Sequence, residues 1–211
     1  MWTYFQDFGT PLSTIHAEVL KVFTMNWTSQ GYVVEVLSES DAKKHPDYRK
    51  FKRRVSRYPT TNAREYETAC FLRWLALNVA KGQLQSDYDV LNISFDSDTY
   101  TKTIKDHKYF GLKIVNFDAH LVPCAVHIED AIASDALINI LMSKNLAKTA
   151  QAIYDGKPHV SDMHMFQGLR IGDSIPVCHL AEMNFPLKHF STNSSGGLEA
   201  KLNTMRSAAN F

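Results

Sequence analysis

An α/β fold is what this sequence predicts, and three observations carry the expectation. Short Val-rich apolar runs alternate with longer runs of 3.6-residue period. The first two short runs, WTYFQ and YVVEVLS, bracket one such helical run, which is the order of a parallel strand pair joined by a crossover helix. The chain has 211 residues, 45% hydrophobic and 21% charged, which suits one domain with a sizeable core.

The elements follow in order. Residues 2–6 read as the first strand. In the segment 10–31, Leu12, Ile15, Val19, Val22 and Phe23 recur at helical spacing, Ser13 or Thr14 can cap, and Gly31 ends the helix. Residues 32–38 form the second strand, paired parallel to the first. The basic segment 43–64 reads as helical, broken at Pro59. The segment 60–82 is the clearest helix: Asn62 can cap with Glu65 three residues on, and Gly82 closes it. Its Tyr66, Cys70, Phe71, Trp74, Leu75 and Leu77 cover more than one face and predict a buried helix. Arg73 within that surface then requires an anion. A third strand starts with Tyr88–Phe95, and one or two more follow before residue 128. Residues 129–156 predict one long amphipathic helix with Ile132, Leu137, Ile140 and Leu141 on its core face and Gly156 after its end. The remainder mixes short apolar pieces with loops, including a Ser/Asn/Gly tract at 191–197 that reads as mobile. A short helix follows it.

No apolar run reaches the roughly 18 residues of a membrane helix. The first cation is Lys21, so no signal peptide is expected and a cytoplasmic location is. The sequons at Asn26, Asn92 and Asn193 are then without consequence. Cys70, Cys124 and Cys178 are odd in number and far apart, which fits neither a disulfide framework nor a zinc ribbon. Net charge is +1, but segment 43–64 holds nine Lys/Arg against one Asp, a local +8, so the rest of the chain sums to −7.

The chemistry concentrates around Asp87-Tyr-Asp89. On an extended chain, period-two geometry places the two carboxylates on one side and Tyr88 on the other. Carboxylates held together repel, and either a divalent cation explains the pair or the pair lies in water without consequence. Asp96-Ser-Asp98 is a second copy nearby.

The stretch CFLRWLALNVAKGQLQSDYDV resembles the helix-then-DxD block of GT-A fold glycosyltransferases. The strand-helix-strand opening is similar to that family's Rossmann-like nucleotide-binding half. The resemblance implies a GT-A-like mixed β-sheet flanked by helices and a single glycosyltransferase domain over 1–211, with 1–100 as the nucleotide-sugar-binding half and 101–211 as the acceptor-side half. It implies Mn²⁺ or Mg²⁺ on Asp87 and Asp89, near the end of a strand. Arg73 and Asp87 would hold the nucleotide-sugar donor, and Gln6 would meet the nucleotide at the end of the first strand. LKHFSTNSSGG looks like the family's late loop, which implies His189 as a third metal ligand and Lys188 as a phosphate contact. HVSDMHMF is similar to the family's late acidic position, which implies Asp162 as the catalytic residue facing the acceptor; otherwise Ser161 or Asp162 simply caps a helix. His164 and His179 read as structural.

The basic segment has Tyr48, Phe51 and Tyr58 among its cations. Arg53, Arg54 and Arg57 are candidates for binding nucleic acid, with the aromatics stacking on bases. A polyanionic acceptor, such as DNA carrying a hydroxylated base, is one expectation, and a polysaccharide or glycan is another. Two rivals from other classes stand beside glycosyl transfer. One is a metal-dependent phosphotransferase or nuclease using Asp87, Asp89, Asp96 and Asp98. The other is a non-catalytic nucleic-acid-binding module.

Overall fold

A computed structural model describes residues 1–108, 113–117, 124–153, 158–167, 169, 177–179, 186–190 and 196–209. The chain opens with strand β1 (Trp2–Tyr4), helix α1 (Ser13–Ser29) and strand β2 (Glu35–Leu37). β1 and β2 pair in parallel, with Trp2 opposite Glu35, as the β-α-β order predicts. Gly31, at φ 85°, takes the left-handed turn after α1. No side chain caps the start of α1, where Leu12 is the N-cap residue.

The basic region folds as a short helix α2 (Glu39–Ala42) and then α3 (Tyr48–Val55), which ends before Pro59. α4 (Arg64–Ala80) is the centre of the molecule. Phe71, Trp74, Leu75, Ala76 and Leu77 on it are all fully buried. Tyr66 is the exception to the expected burial, being 53% exposed. Asn62 does not cap α4: Ala63 holds that position, and Asn62 Nδ2 donates instead to Glu67 Oε2 at 2.9 Å. The helix ends on Lys81 in the left-handed conformation, and Gly82 N donates to Leu77 O at 3.0 Å.

Strands β3 (Leu84–Ser86) and β4 (Val90–Asn92) follow, and the third strand of the sequence reading is thereby corrected. Residues 87–89 are a turn, closed by Val90 N to Asp87 O at 3.1 Å. The chain then runs through α5 (Ser97–Lys108), β5 (Ile114–Asn116) and β6 (Ala125–Ile128).

The expected long helix is two, α6 (Ala131–Leu141) and α7 (Lys144–Ile153). Ser143 makes the break, because its Oγ accepts from Leu146 N and starts α7. Ile132 is 79% exposed rather than in the core. The buried face of α6 runs through Ala133, Leu137, Ile138 and Leu141, and one residue of helix rotation turns Ile132 outward. Gly156 lies outside the described residues. α8 (Asp162–Gln167), β7 (Val177–His179), β8 (Leu187–His189) and α9 (Leu198–Ala208) complete the described elements. Of the tract 191–197, residues 191–195 lie outside them.

Among the described residues, the main sheet has the order β2-β1-β3-β6-β5-β7. It is mixed: β6 is antiparallel to both neighbours, while the other pairs are parallel. β4 leaves this sheet and pairs antiparallel with β8, Val90 facing His189. α1 serves the other edge of β4. Asn26 Nδ2 donates to Asn92 O, Asn92 N donates to Asn26 Oδ1, and Trp27 Nε1 donates to Val90 O at 2.9 Å. Asn26 and Asn92 are therefore buried and bonded to each other, which leaves neither amide open to modification in the folded chain. No helix among the described residues is long and apolar enough to cross a membrane.

Candidate metal and donor site

The order β2-β1-β3 contains the position where the chain, having crossed from β1 to β2 on one side, places the next strand on the other side of β1. In open α/β sheets ligands sit beyond the strand ends at such a point. Gln6 follows the end of β1, and Asp87 follows the end of β3. The two carboxylates therefore meet through a tight turn and not through strand alternation.

That turn is fixed on all sides. Asp87 N donates to Cys124 O at 2.7 Å, and Phe190 N donates to Asp89 O at 2.9 Å. Tyr88 points away from the acids, its hydroxyl 2.8 Å from His16 Nδ1 on α1 and its ring edge-on to Phe5.

Antiparallel pairing of β4 with β8 carries His189 to the same place. Among the described residues, Asp87, Asp89 and His189 form the group suited to a metal ion, with one ligand atom of each within 4.8 Å of the others. Ligands about 2.2 Å from a shared ion lie at most about 4.4 Å apart, so a closure of a few tenths of an ångström suffices. His189 Nε2 is 3.5 Å from Asp89 Oδ1. Asp87 Oδ1 accepts from Arg73 and from Gln85 Nε2, while Oδ2 has no hydrogen-bond partner among the described residues. Two carboxylates and an imidazole are a donor set that Mn²⁺ accepts, and Mg²⁺ with less ease.

Arg73, 8% exposed, answers the requirement for an anion with two. Its Nη1 donates to Asp87, while Nε and Nη2 donate to Asp162 Oδ2 at 3.0 and 2.6 Å. Trp74 Nε1 donates to the same oxygen at 2.8 Å, and Met163 N donates to Asp162 Oδ1. Asp162 is thus a buried, fully engaged carboxylate that orients Arg73. The cap of α8 is Ser161, whose Oγ accepts from His164 N.

Lys201 was not singled out by the sequence reading. It is buried on α9, with Nζ 2.6 Å from Asp89 Oδ2. A signal existed: Leu198, Leu202 and Met205 form an apolar stripe at helical spacing, and Lys201 falls inside it. Such a lysine needs an anion for the same reason Arg73 does. Lys188 is not brought to the cluster. Strand alternation turns it opposite to His189, and its ammonium lies 5.0 Å from the Phe190 ring centre.

Three carboxylates, Asp87, Asp89 and Asp162, thus face two side-chain cations, Arg73 and Lys201, leaving one negative charge in excess. The pair of acids splits. Burial pushes Asp87 up against the pull of Arg73, and the nearby Asp89 charge adds to the push. Burial opposes Asp89 as well, but the bond and charge of His189 together with Lys201 hold it below the usual carboxylate range.

A cleft of about 400 Å³ opens beyond β1, lined by Tyr4, Gln6, Phe8, Glu39, Lys52 and the Thr68–Leu72 side of α4. Tyr4 OH is buried and has no hydrogen-bond partner among the described residues. α4 walls both spaces: Thr68, Ala69 and Leu72 face the cleft, and Arg73 faces the acids.

Asp96 accepts from Thr99 N at 2.7 Å and so caps α5, which is the structural reading of the second acidic pair. Phe51 and Tyr58 are buried, and Tyr48 bonds to Glu39, so the expected stacking of these aromatics on bases is corrected. An amphipathic helix turns its aromatics inward and its cations outward. Arg53 and Arg57 are exposed, and Arg54 Nε donates to Met142 O at 3.2 Å. Comparisons with protein-family models, with curated proteins and with solved structures give no match to this chain.

Proposed function

We propose that this chain is a metal-dependent glycosyltransferase with a GT-A-like sheet, moving a sugar from a nucleotide-sugar donor to a hydroxyl acceptor. The observation that carries the reading is the cluster of Asp87, Asp89 and His189 at the end of β3, with Arg73 held beside it. Three remote segments converge on one spot, and a solvated DxD would not need them.

Mn²⁺ or Mg²⁺ on these three residues would neutralise the diphosphate that leaves as the glycosidic bond breaks. Arg73 is positioned by Asp162 and Trp74, and its guanidinium adds fixed positive charge near the departing phosphates. Lys201 holds Asp89 in place through one oxygen and leaves Oδ1 toward His189. The cleft at Gln6 takes the nucleoside. The acceptor is a hydroxyl compound, and the cations of α3 make a hydroxylated base in DNA one such class beside a polysaccharide or glycan.

Calorimetry with UDP, GDP and other nucleotide diphosphates in Mn²⁺ tests this. Binding is expected that collapses with EDTA and with Asp89→Asn. Affinity indifferent to both would remove the glycosyltransferase reading.

A further inference from the structure

The donor cleft uses one flank of α3, through Lys52. The opposite flank is different in kind. Lys50, Arg53, Arg54 and Arg57 stand at i, i+3, i+4 and i+7, one stripe on the helical surface continued by the turn after Val55. With Met142 they line a second cleft of about 390 Å³, and among the described residues no acid lines it. Asp47 lies 3.9 Å from Lys50. Arg53 and Arg57 make no ion pair among the described residues, and both are exposed.

Part of this stripe has a local explanation. Cations in the last turn suit the helix dipole, and Arg54 is tied to the Met142 carbonyl at the end of α6. That accounts for Arg54, the dipole also covers Arg53, and Asp47 stands near Lys50, which leaves Arg57 and the crowding of four like charges on one face without a local explanation. Like charges gathered on one face with a single distant counter-charge are favourable once a polyanion covers them.

We infer that this stripe is a docking surface for the sugar-phosphate backbone of a nucleic-acid duplex. Its length decides what it can meet. Seven residues at about 1.5 Å rise span roughly 10 Å, enough for two to three phosphates of one strand. The aromatic side chains decide the form of the nucleic acid. Phe51 and Tyr58 are packed in the core and the Tyr48 hydroxyl is tied to Glu39, so among the described residues these aromatics offer no platform on which unpaired bases could stack. What remains is contact with phosphates, which is independent of sequence. A duplex on this stripe would lie about one helix diameter, some 10 Å, from the cleft on the other flank of α3. A flipped-out base could cross that distance toward the donor.

Duplex binding is read without donor or metal, so its failure and that of the glycosyltransferase reading are separable. Fluorescence anisotropy with a short labelled duplex should show affinity falling roughly 10- to 40-fold between about 50 and 200 mM salt, a slope near −1.8 to −2.7. The variant K50A/R53A/R57A leaves Arg54 on its carbonyl and Lys52 in the donor cleft. It should keep the wild-type circular dichroism and nucleotide-diphosphate binding, and should lose most of the duplex affinity and most of the slope. The charge-preserving K50R/R53K/R57K should keep both. A wild-type slope in the alanine variant, or no duplex binding at low salt, would overturn the assignment. So would heparin competing as well as duplex at equal charge, since that marks a generic polyanion surface.

Discussion

Glu67 shows how a single residue can report on its surroundings. It is 5% exposed on α4, accepts from Asn62, and lies 3.9 Å from His159 Nε2. Burial pushes its carboxyl from 4.5 up to about 7. Between those values the folded chain holds a proton that the unfolded chain releases, so the contribution of Glu67 to stability falls as pH rises. Its full effect, complete above about pH 7, is at most about 3 kcal/mol. His159 and His164, lowered by burial, act the other way, removing stability as pH falls below 6.5. Glu67→Gln keeps the acceptor for Asn62 and cannot ionise. Urea unfolding of both proteins should therefore show the variant gaining on the wild type from pH 5 to pH 8. A gap that stays constant would mean that Glu67 is ionised throughout. Lys201, Arg73 and Glu67 share one lesson: a charge inside an apolar stripe announces a partner, and its spacing in sequence does not say which.

Among the elements, α4 depends on its end. Lys81 carries the left-handed conformation, which costs a non-glycine residue about 1 kcal/mol. Gly82 is needed for a different reason. A Cβ there would fall on Leu77 Cδ1 and lie 2.9 Å from Trp2 Cδ2. Gly82→Ala should therefore lower stability by roughly 1–3 kcal/mol, while Lys81→Gly should be neutral or stabilising. Melting temperatures of the two variants decide it, and equal shifts would refute the division of labour. The opening strands, α1 and α4 were legible because their apolar period is long and closed by glycine. The break in α6–α7 was less so, because one serine cap interrupts an otherwise continuous pattern. The acids at 87 and 89 were legible as a pair, but the turn that unites them depends on Cys124 and Phe190, 37 and 101 residues further on. Local periodicity cannot contain contacts of that range. His189 was placed through a resemblance, and its approach to the acids depends on the register of β4 with β8.

At the scale of the molecule, the charge asymmetry of the sequence becomes two regions. Acids gather at the end of β3 around buried cations, and exposed cations gather on the outer flank of α3. The paired region resists salt because it is buried, and the exposed region responds to it. Each region has its own measurement above, and each is read alone.

The contact between Lys201 and Asp89 joins residues 112 positions apart. Pairings that close such long loops form late in folding, after local helices and hairpins have condensed. Interactions absent from the folding transition state govern how fast the native state is lost, not how fast it is reached. Mn²⁺ with a nucleotide diphosphate should therefore slow unfolding in denaturant jumps and leave the refolding rate nearly unchanged. Stopped-flow fluorescence from Trp27 and Trp74, both fully buried, would follow each limb. Faster refolding with the ligand present would instead place α9 in the folding nucleus.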